Sequence, residues 1–485
     1  MSTISVSTQS ELLSALKIAR GGDTIQLAAG NYGNITLNGT KAATKYLKYS
    51  GEVKIVSANP GDKAVVNKLF MEGVQNLTFE NIKFDYTSAT TTNGQPVLLK
   101  SSKEITFRSS VFDGETAGGY GSGTGLKVSA GSDILVQNST FTNYRKGIEA
   151  WAVDGFDILN NKLQGISYDG IVSGHVQDFT IRGNTVAMRP DLGADNHRDV
   201  IQIYNQGPKA PSSNILIENN KLTSTDTVTH GIYMGNADAK STGSGSEFYS
   251  NVVIRGNTIE TGQRLGIGIG HTNGLKITGN TLIQNDALND NTRPITIPML
   301  QVEQASTNVT ITDNILHGQP IPSNSGNWAA VTGADAGWTV RDNAIVKLDW
   351  KIGQSTADPW AGVRGNGEAD QFRYKGTWVS TGDRTDVNSK LNFEEGDTII
   401  LVNYEQSSFK GVSGGNKLDV SSTGDYAKIN SIVDLQELAA TSPKLSASVS
   451  GDTLTLHITQ TGGVHDIVLE GLGQEYQSTY DASLF

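Results

Sequence analysis

The sequence contains no cysteine, so disulfide bonds, thiolate metal sites and a cysteine nucleophile are all excluded. It has only 11 prolines against 55 glycines, a balance that favours many turns over a disordered, proline-rich chain. No apolar run approaches the ~18 residues of a membrane-spanning helix, so no membrane span is expected. The 38 basic residues are outnumbered by 49 acidic ones. The formal net charge of −11 argues against nucleic acid as a partner, because nonspecific binding of that kind depends on neutralising phosphates.

At 485 residues, the chain is long enough for two or more domains with a sizeable core. Its first residues lack the basic and apolar regions of a secretory signal peptide. The segment Thr8–Glu11 has the spacing of a capping box, and apolar residues follow it at helical intervals until a pair of glycines. The sequence therefore predicts one amphipathic helix over residues 9–19, placed to cover the open hydrophobic end of a stack of coils.

One short pattern is repeated four times between Ser167 and His271. Each copy has a polar pair, then a glycine or other small residue, and then alternating residues with isoleucine at the second place. The copies are Tyr168–His175, Arg198–Asn205, Thr229–Asn236 and Arg264–His271. Alternation is typical of a β-strand, and its recurrence along the chain is typical of a coil that stacks on itself.

A second alternating motif recurs ten times from Leu77 to Ile345. Its first, third and eighth positions are apolar, which places them inside the stack. Its sixth position is asparagine in seven copies, and stacked asparagines can hydrogen-bond one another's amides. These asparagines are Asn161, Asn184, Asn220, Asn257, Asn280, Asn314 and Asn343.

The intervals between these asparagines run from 23 to 37 residues. Because the shortest interval fits a bare coil, the longer ones contain insertions, and loops on a rigid stack tend to carry function. The insertions are Ala187–Arg198, Thr223–Thr229, Ala237–Tyr249 and Ile283–Pro298. All of them flank the isoleucine strands, so we expect them to form walls around the outer face of those strands.

The coil pattern fades after about Asp349. Beyond it, hairpin-like strands without the coil period are predicted at Leu391–Val402, Val449–Ile458 and Gly463–Leu469. We therefore predict a stacked-coil domain over residues 1–365 and a separate, smaller β-rich domain over residues 370–485.

The outer face of the isoleucine strands follows from their alternation. If Ile148, Ile171, Ile201, Ile232 and Ile267 point inward, the next residue of each strand points out, and so does the residue two further on. This places Trp151, Tyr204 and Tyr233 beside bare glycines on a shallow floor. Aromatic planes next to open backbone suit sugar rings, although aromatic side chains on a sheet also pair with one another for stability alone.

Four chemically active residues occupy one position in successive coils, immediately before these strands. They are Lys146, Asp169, Asp199 and His230. Adjacent strands lie ~4.8 Å apart, so the two aspartates should be neighbours with the histidine one layer on. Two carboxylates that close raise the pKa of one of them or hold a cation. The alternative is that both aspartates only cap turns through backbone N–H groups.

These residues resemble a known enzyme family. Tyr168–Gly170, Arg198–Ile203, Thr229–Gly235 and Leu265–Gly270 look like the conserved pattern of polygalacturonases. The resemblance gives Asp169 and Asp199 the role of water-activating carboxylates and His230 the role of the family's histidine. The sequence departs from that pattern at Arg198, where the general-acid aspartate belongs, and at Gly268 and Gly270, where substrate-binding Arg and Lys belong.

More broadly, the chain up to about residue 350 is similar to the pectate-lyase-like superfamily, which includes mannuronan epimerases and alginate and chondroitin lyases. The segments Ala29–Tyr32 and Ile297–Val302 carry this likeness. It implies an all-β fold, a right-handed parallel β-helix with an N-terminal capping helix. It also implies a polysaccharide substrate. The hairpin-like strands beyond residue 370 predict that a smaller C-terminal domain of the β-sandwich type follows.

The C-terminal part resembles the secretion domains of proteins exported by bacterial type I systems. This resemblance implies a secreted, extracellular protein exported without a signal peptide. One degenerate calcium-repeat fragment, Gly414–Asp419, makes Ca²⁺ the only cofactor suggested, and no organic cofactor is expected.

Several functions remain open. In β-elimination, a base removes the proton next to a uronate carboxylate, and a cation stabilises the resulting enolate. The candidate bases are Lys146, His230 and Tyr168, with Arg198 and Arg264 as electrostatic partners. We favour this lyase reaction because Arg198 replaces the acid expected in a hydrolase and because several cationic groups accompany the aspartates.

The alternatives use the same face of the stack. A glycoside hydrolase would divide the roles of acid and of base or nucleophile between Asp169 and Asp199, with Glu149 as a further candidate for either role. A uronate C5-epimerase or a non-catalytic, glycan-binding spike is also compatible with the pattern. In every case, the candidate substrate-binding residues are Glu149, Trp151, Gln202, Tyr204, Tyr233, Arg264, His271 and His197. No metal ligand is assigned.

Overall fold

The computed structural model describes part of the chain. The described residues are 1–87, 94–117, 120–189, 197–224, 228–263, 265–284, 298–317, 328–330, 338–341, 343–346, 371–375, 384–388, 398–402, 426–429, 431–460 and 463–478. The chain forms two compact units. The first comprises Met1–Ile277 and Gln301–Val309, and the second comprises Thr278–Leu300 and Thr310–Phe485. The predicted boundary at 365–370 stays a prediction, because those residues lie outside the described part.

The first unit is built from three sheets of parallel strands, because each coil contributes one strand to each sheet. Up to residue 312, the first sheet contains, in order, Thr3–Val6, Thr24–Leu27, Lys48–Ser57, Gln75–Glu80, Lys103–Arg108, Ser132–Gln137, Asp154–Leu159, Gln177–Arg182, Ser213–Glu218, Tyr249–Arg255, Thr272–Thr278 and Thr307–Thr312. The second contains Val65–Val66, Lys83–Asp85, Val111–Asp113, Thr140–Thr142, Lys162–Ile166, Thr185–Met188, Lys221–Thr223 and Thr258–Thr261. This arrangement confirms the predicted parallel β-helix.

The third sheet carries the isoleucine strands, and we call it the site sheet. It contains Asn34–Asn38, Lys68–Glu72, Val97–Lys100, Thr124–Ser129, Lys146–Trp151, Asp169–Gly174, Arg198–Asn205, Thr229–Asn236, Leu265–Ile269 and Met299–Glu303. Thr116–Ala117 and Tyr120–Gly121 form a short antiparallel pair. The insertion at 237–249 forms the helix Ala237–Thr242 and the 3₁₀ turn Gly245–Glu247. Most of the other predicted insertions lie outside the described residues.

The predicted N-terminal helix is confirmed as Gln9–Ile18, one residue shorter than expected. Its N-cap is Thr8, whose hydroxyl accepts from the Glu11 N–H at 3.2 Å. The Glu11 carboxylate accepts from the N–H of Ser7, the residue before the N-cap, at 2.7 Å. A 3₁₀ helix at Ala42–Leu47 follows later. Within the described residues, no helix has the length and hydrophobicity needed to cross a membrane.

The second motif forms the corner between the first and second sheets. Its first, third and eighth residues are buried in the nine copies from Leu77 to Leu316, as predicted. Its fifth residue has a positive φ in each of those copies, a feature that was not predicted. These residues are Asn81, Ser109, Asn138, Asn160, Gly183, Asn219, Gly256, Gly279 and Asp313. The left-handed region tolerates Gly, Asn and Asp best, so the composition of this position was the available signal.

The sixth residue of the motif forms the predicted asparagine ladder. In the first unit, Asn161, Asn184, Asn220 and Asn257 are buried, and each Nδ2 of the first three donates to Oδ1 of the next at 2.9–3.1 Å. The same Oδ1 atoms accept from the backbone N–H of the preceding asparagine at 2.8–3.0 Å. The second unit repeats these contacts from Asn280 through Asn314 to Asn343. The ladder therefore satisfies backbone donors at the corners.

The second unit contains the parallel strands Thr281–Gln284, Ile315–His317 and Ala344–Val346, and the strands Trp328–Ala330 and Thr339–Arg341. Further strands are Gln371–Lys375, Thr398–Val402 and Tyr426–Ile429 in one sheet, and Arg384–Asn388, Gly463–Glu470, Thr453–Gln460 and Leu445–Ser450 in another. Helices in its described residues are Ile432–Thr441 and Gly473–Ser478. The predicted strand at 463–469 is present within Gly463–Glu470, whereas the predicted strand at 449–458 covers the end of Leu445–Ser450, a turn at residues 451–452 and the start of Thr453–Gln460. The calcium-repeat fragment Gly414–Asp419 lies outside the described residues.

Candidate active site

The four chemically active residues lie side by side on the site sheet. Lys146 pairs with Asp169, Asp169 pairs with Asp199, and Asp199 pairs with His230 across successive parallel strands. Their spacing is therefore that of neighbouring strands, about 4.8 Å between backbones. The isoleucines two residues on are buried in the core. The predicted register and the predicted ladder of side chains are both present, and we call these four residues the site ladder.

Asp199 is the centre of the ladder. Its carboxylate is fully buried and is contacted by three side-chain nitrogens. Oδ1 lies 2.9 Å from Nδ1 of His230, and Oδ2 lies 3.0 Å from Nδ1 of His197 and 2.7 Å from Nε2 of Gln202. A carboxylate can only accept hydrogen bonds, so each neutral imidazole carries its proton on Nδ1. The Nε2 atom of each ring then has a free lone pair.

The side chain of His197 is about half exposed (47 %), whereas that of His230 is nearly covered (10 %). The hydrogen bond to Asp199 raises the pKa of the His197 imidazole, and its burial opposes this shift. His197 was expected to bind substrate, and its contact with Asp199 was not predicted. The signal was its position two residues before Asp199, since residues i and i+2 of a strand share a face.

Asp169 lies in a different environment from Asp199. It is 1 % exposed, its Oδ1 accepts from the backbone N–H of Asp199 at 3.3 Å, and its Oδ2 lies 3.5 Å from Nζ of Lys146. Burial, followed by the negative charge of Asp199, raises the pKa of the Asp169 carboxyl to about 7, although Lys146 opposes the shift. A buried carboxyl group whose pKa is raised by a neighbouring carboxylate is an arrangement that enzymes use for acid–base chemistry.

A second ionic group adjoins the ladder. The Glu149 carboxylate lies 2.7 Å from Nζ of Lys127 and 3.9 Å from Nζ of Lys146, and it accepts from Nε1 of Trp151 at 2.9 Å. Burial of Glu149 favours the neutral acid, but the hydrogen bond from Lys127 and the charges of both lysines lower the pKa of this carboxyl. Lys127 was missed, although it pairs with Glu149 in the same register.

The aromatic side chains contact the glycines instead of lying beside open backbone. A Cβ atom on Gly174 would clash with the ring of Trp151, so this ring covers Gly174. A Cβ on Gly235 would lie 3.0 Å from the Tyr233 ring and 3.1 Å from that of Tyr204. The expectation of bare glycines was wrong, because a glycine in a sheet leaves room that a neighbouring large ring fills.

Tyr233 and Tyr168 flank the ladder on different sides. The Tyr233 ring lies 5.5 Å from that of His230 and 5.1 Å from that of His197. Burial and then the charge of Asp199 raise the pKa of the Tyr233 hydroxyl. The Tyr168 ring lies 4.1 Å below the guanidinium of Arg145, and burial followed by Asp169 raises the pKa of its hydroxyl. Both phenols therefore stay protonated at neutral pH.

Two further predicted site residues are buried. Arg198 is 1 % exposed, and its Nη2 donates to the backbone carbonyl of Arg189. His271 is 6 % exposed and packs against Phe248, with ring centroids 5.2 Å apart. The roles of Arg198 as an electrostatic partner and of His271 in substrate binding stay predictions. Arg264 lies outside the described residues.

The site also contains a group of side chains that suits a metal ion. The donor atoms of His197, Asp199 and His230 all lie within 4.8 Å of one another. The remaining ladder residues, Lys146 and Asp169, form an ion pair with each other and lie outside this group.

The sequence matches the family described as the right-handed beta helix region, over residues 67–242 and again over 146–345. No curated protein sequence matches the chain.

Three solved structures show how the chain compares with known proteins. An alginate lyase from a Paenibacillus species is 16 % identical, with 57 % of this chain and 94 % of that chain covered and a TM-score of 0.38. The A-module of a mannuronan C-5 epimerase from Azotobacter vinelandii is 14 % identical, with 70 % and 82 % covered and a TM-score of 0.40. A polygalacturonase from Erwinia carotovora is 12 % identical, with 71 % and 91 % covered and a TM-score of 0.36.

Proposed function

The chain belongs to the right-handed β-helix family, and from this membership and its site ladder we propose that it is an enzyme acting on an acidic polysaccharide. The reaction that the site supports best is β-elimination at a uronate residue. The observation that carries this proposal is the contact between the buried Asp199 carboxylate and Nδ1 of His230, at 2.9 Å.

In this proposal, His230 is the base. Asp199 fixes the tautomer with the proton on Nδ1, so Nε2 accepts the proton from the carbon next to the uronate carboxylate. Asp199 then stabilises the imidazolium that forms, as a buried carboxylate does beside a catalytic histidine. The electron pair of the broken C–H bond becomes the new carbon–carbon double bond, while the bond to the leaving glycosidic oxygen breaks.

Lys146 and Tyr233 complete the reaction. Lys146 lies one strand beyond the aspartates and supplies the positive charge that stabilises the developing enolate. The Tyr233 hydroxyl, which burial keeps protonated, donates its proton to the leaving oxygen. Solvent then carries the proton from His230 back to Tyr233, so the enzyme returns to its starting state.

The products of the reaction test this proposal. We expect incubation with uronate polysaccharides to yield chain ends that are unsaturated and absorb in the ultraviolet. New reducing ends without that absorbance would show hydrolysis instead, and unchanged chain length with altered uronate composition would show epimerisation. Binding without any chemical change, equal in the wild type and in His230→Ala, would indicate a glycan-binding spike.

Hydrolysis is the second candidate because Asp169 and Asp199 are direct partners on adjacent strands. A pair of carboxyl groups on one face is the usual requirement for glycoside cleavage. In that reaction Asp169 and Asp199 share the acid and base duties, and His230 only orients Asp199. The ratio of ultraviolet absorbance to reducing ends decides between the two reactions.

Trp151 should contribute to substrate binding more than to the chemical step. Its ring lies on the site sheet one strand before the Asp169 strand, and Glu149 holds its indole N–H. We expect Trp151→Ala to raise KM about tenfold, since a lost ring contact of about 1.5 kcal/mol corresponds to that factor, with little change in kcat. Steady-state kinetics on purified oligosaccharides measure both constants.

The matched control is Phe70→Ala. Phe70 is a half-buried aromatic residue of the same sheet, on a strand three places from that of Trp151. It should leave KM unchanged. An equal rise in KM for both variants would show that the effect comes from general weakening of the sheet and not from a sugar contact.

A further inference from the structure

We infer that His197, Asp199 and His230 bind a divalent transition-metal ion such as Zn²⁺. Two imidazoles and one carboxylate are a donor set that Zn²⁺, Fe²⁺ and Mn²⁺ accept, and the remaining coordination positions go to water or a ligand. The site in question differs from the oxygen-rich environment that Ca²⁺ prefers, because two of its three donors are nitrogens.

The geometry of the three side chains agrees with coordination. Two donors about 2.0–2.2 Å from one ion are about 3.3–3.6 Å apart at the tetrahedral angle. The Nδ1 atoms of His230 and His197 lie 2.9 Å and 3.0 Å from the two oxygens of Asp199, and the three donor atoms all lie within 4.8 Å of one another. A movement of about an ångström by the half-exposed His197 side chain would bring the three donors to the spacing of one coordination shell. Little rearrangement of the strands is needed, since Asp199 and His230 are fixed by strand pairing.

The surroundings also resemble those of a metal site. Gln202 donates to Oδ2 of Asp199 at 2.7 Å and so orients the carboxylate from a second layer, as such partners do around bound metals. Asp199 and His230 are buried, whereas His197 lies half exposed at the edge. An ion can thus enter past His197 and meet two ligands that are already in place.

Metal binding would have a consequence for the proposed reaction, and this part of the inference depends on the proposed function. An ion bound to both Nδ1 atoms replaces the two protons that face Asp199. The ring of His230 must then carry its proton on Nε2, so it has no lone pair to accept a substrate proton. The metal ion and the base therefore compete for one side chain, and Zn²⁺ should inhibit the enzyme.

Direct binding tests the site without any substrate. Chelator-treated full-length protein is titrated with Zn²⁺ by calorimetry, and with Co²⁺ while the visible spectrum of the bound ion is recorded. We expect one tight site per chain. The affinity should be at least about 100-fold lower in His197→Ala, because the loss of a residue that only orients a metal ligand can already lower metal affinity by that factor. Equal affinities in the wild type and His197→Ala would overturn the inference, as would the absence of binding.

A matched control uses the second unit. There, Nδ1 of His457 lies 2.7 Å from Oδ1 of Asp466, a single histidine–carboxylate pair. His457→Ala should leave the Zn²⁺ affinity unchanged, and a loss as large as that of His197→Ala would show that the ion binds at this pair instead.

The inhibition is measured separately. For the wild type, the Zn²⁺ concentration that halves the rate should equal the dissociation constant from calorimetry, and a chelator should restore the rate. Zn²⁺ that binds at the site and raises the rate would overturn the competition. A protein that binds Zn²⁺ but acts on no uronate polysaccharide would contradict the proposed function and leave the metal site established.

Discussion

Asp199→Asn should fold normally and lose about 10³-fold or more in kcat/KM, the range that a positioned base and its carboxylate partner supply. Oδ2 of Asp199 faces two donors, Gln202 and His197, so the amide oxygen of the new side chain settles there. Its NH₂ group then faces Nδ1 of His230, which must accept. The proton of His230 consequently moves to Nε2, and the base is lost.

The fold should tolerate this substitution because it removes one of two neighbouring buried carboxyl groups. Asp157→Asn is a suitable control, since Asp157 is an exposed aspartate on the first sheet, outside the site. It should change kcat/KM less than twofold. Circular dichroism of both variants checks the fold, and wild-type activity in Asp199→Asn would exclude the proposed base.

Of the substitutions described, Asn220→Ala should lower the free energy of unfolding the most. Its Oδ1 accepts from the backbone N–H and Nδ2 of Asn184 at 2.9 and 3.0 Å, and its Nδ2 donates to the Ile181 carbonyl and to Asn257, both at 2.9 Å. Alanine leaves the buried N–H of Asn184 and the Ile181 carbonyl without these partners. Each such group costs about 1–3 kcal/mol, so we expect a loss of about 3–5 kcal/mol in unfolding free energy.

Urea unfolding followed by circular dichroism measures this loss. The neighbouring Lys221 is exposed, and Lys221→Ala should change the free energy of unfolding by no more than about 0.5 kcal/mol. A loss below about 1 kcal/mol for Asn220→Ala would mean that water replaces the amide at the corner. The ladder would then have no structural role at this position.

The coils and their register could be predicted from the sequence because a stacked coil repeats its own environment. Each buried position of the second motif contacts the same position in the next coil. The ten copies of the motif therefore all support the same prediction of which residues are buried. The same logic predicts from the sequence that Asp169, Asp199 and His230 lie side by side, since a constant register aligns equivalent residues, and the strand pairing confirms this.

The details of the site were harder to predict, for physical reasons that differ from residue to residue. Strict alternation would put Asp199 on the same face as the buried Ile201, two residues on, so the direction of the ladder side chains does not follow from the alternation of the isoleucines. His197 lies beyond the repeated pattern and has no equivalent in other coils. Trp151 covers Gly174 because of ring size, a property that the pattern of alternation does not encode.

The constant register of the site sheet also bears on how new activities arise. Distances between neighbouring ladder positions are set by the hydrogen bonds of the backbone, so they do not depend on which side chains occupy them. Exchange of a single residue therefore changes the chemistry at one place while the spacing to its neighbours is kept. A scaffold of this kind lets point mutations alone convert one reaction into another, without insertion, deletion or repacking of the interior.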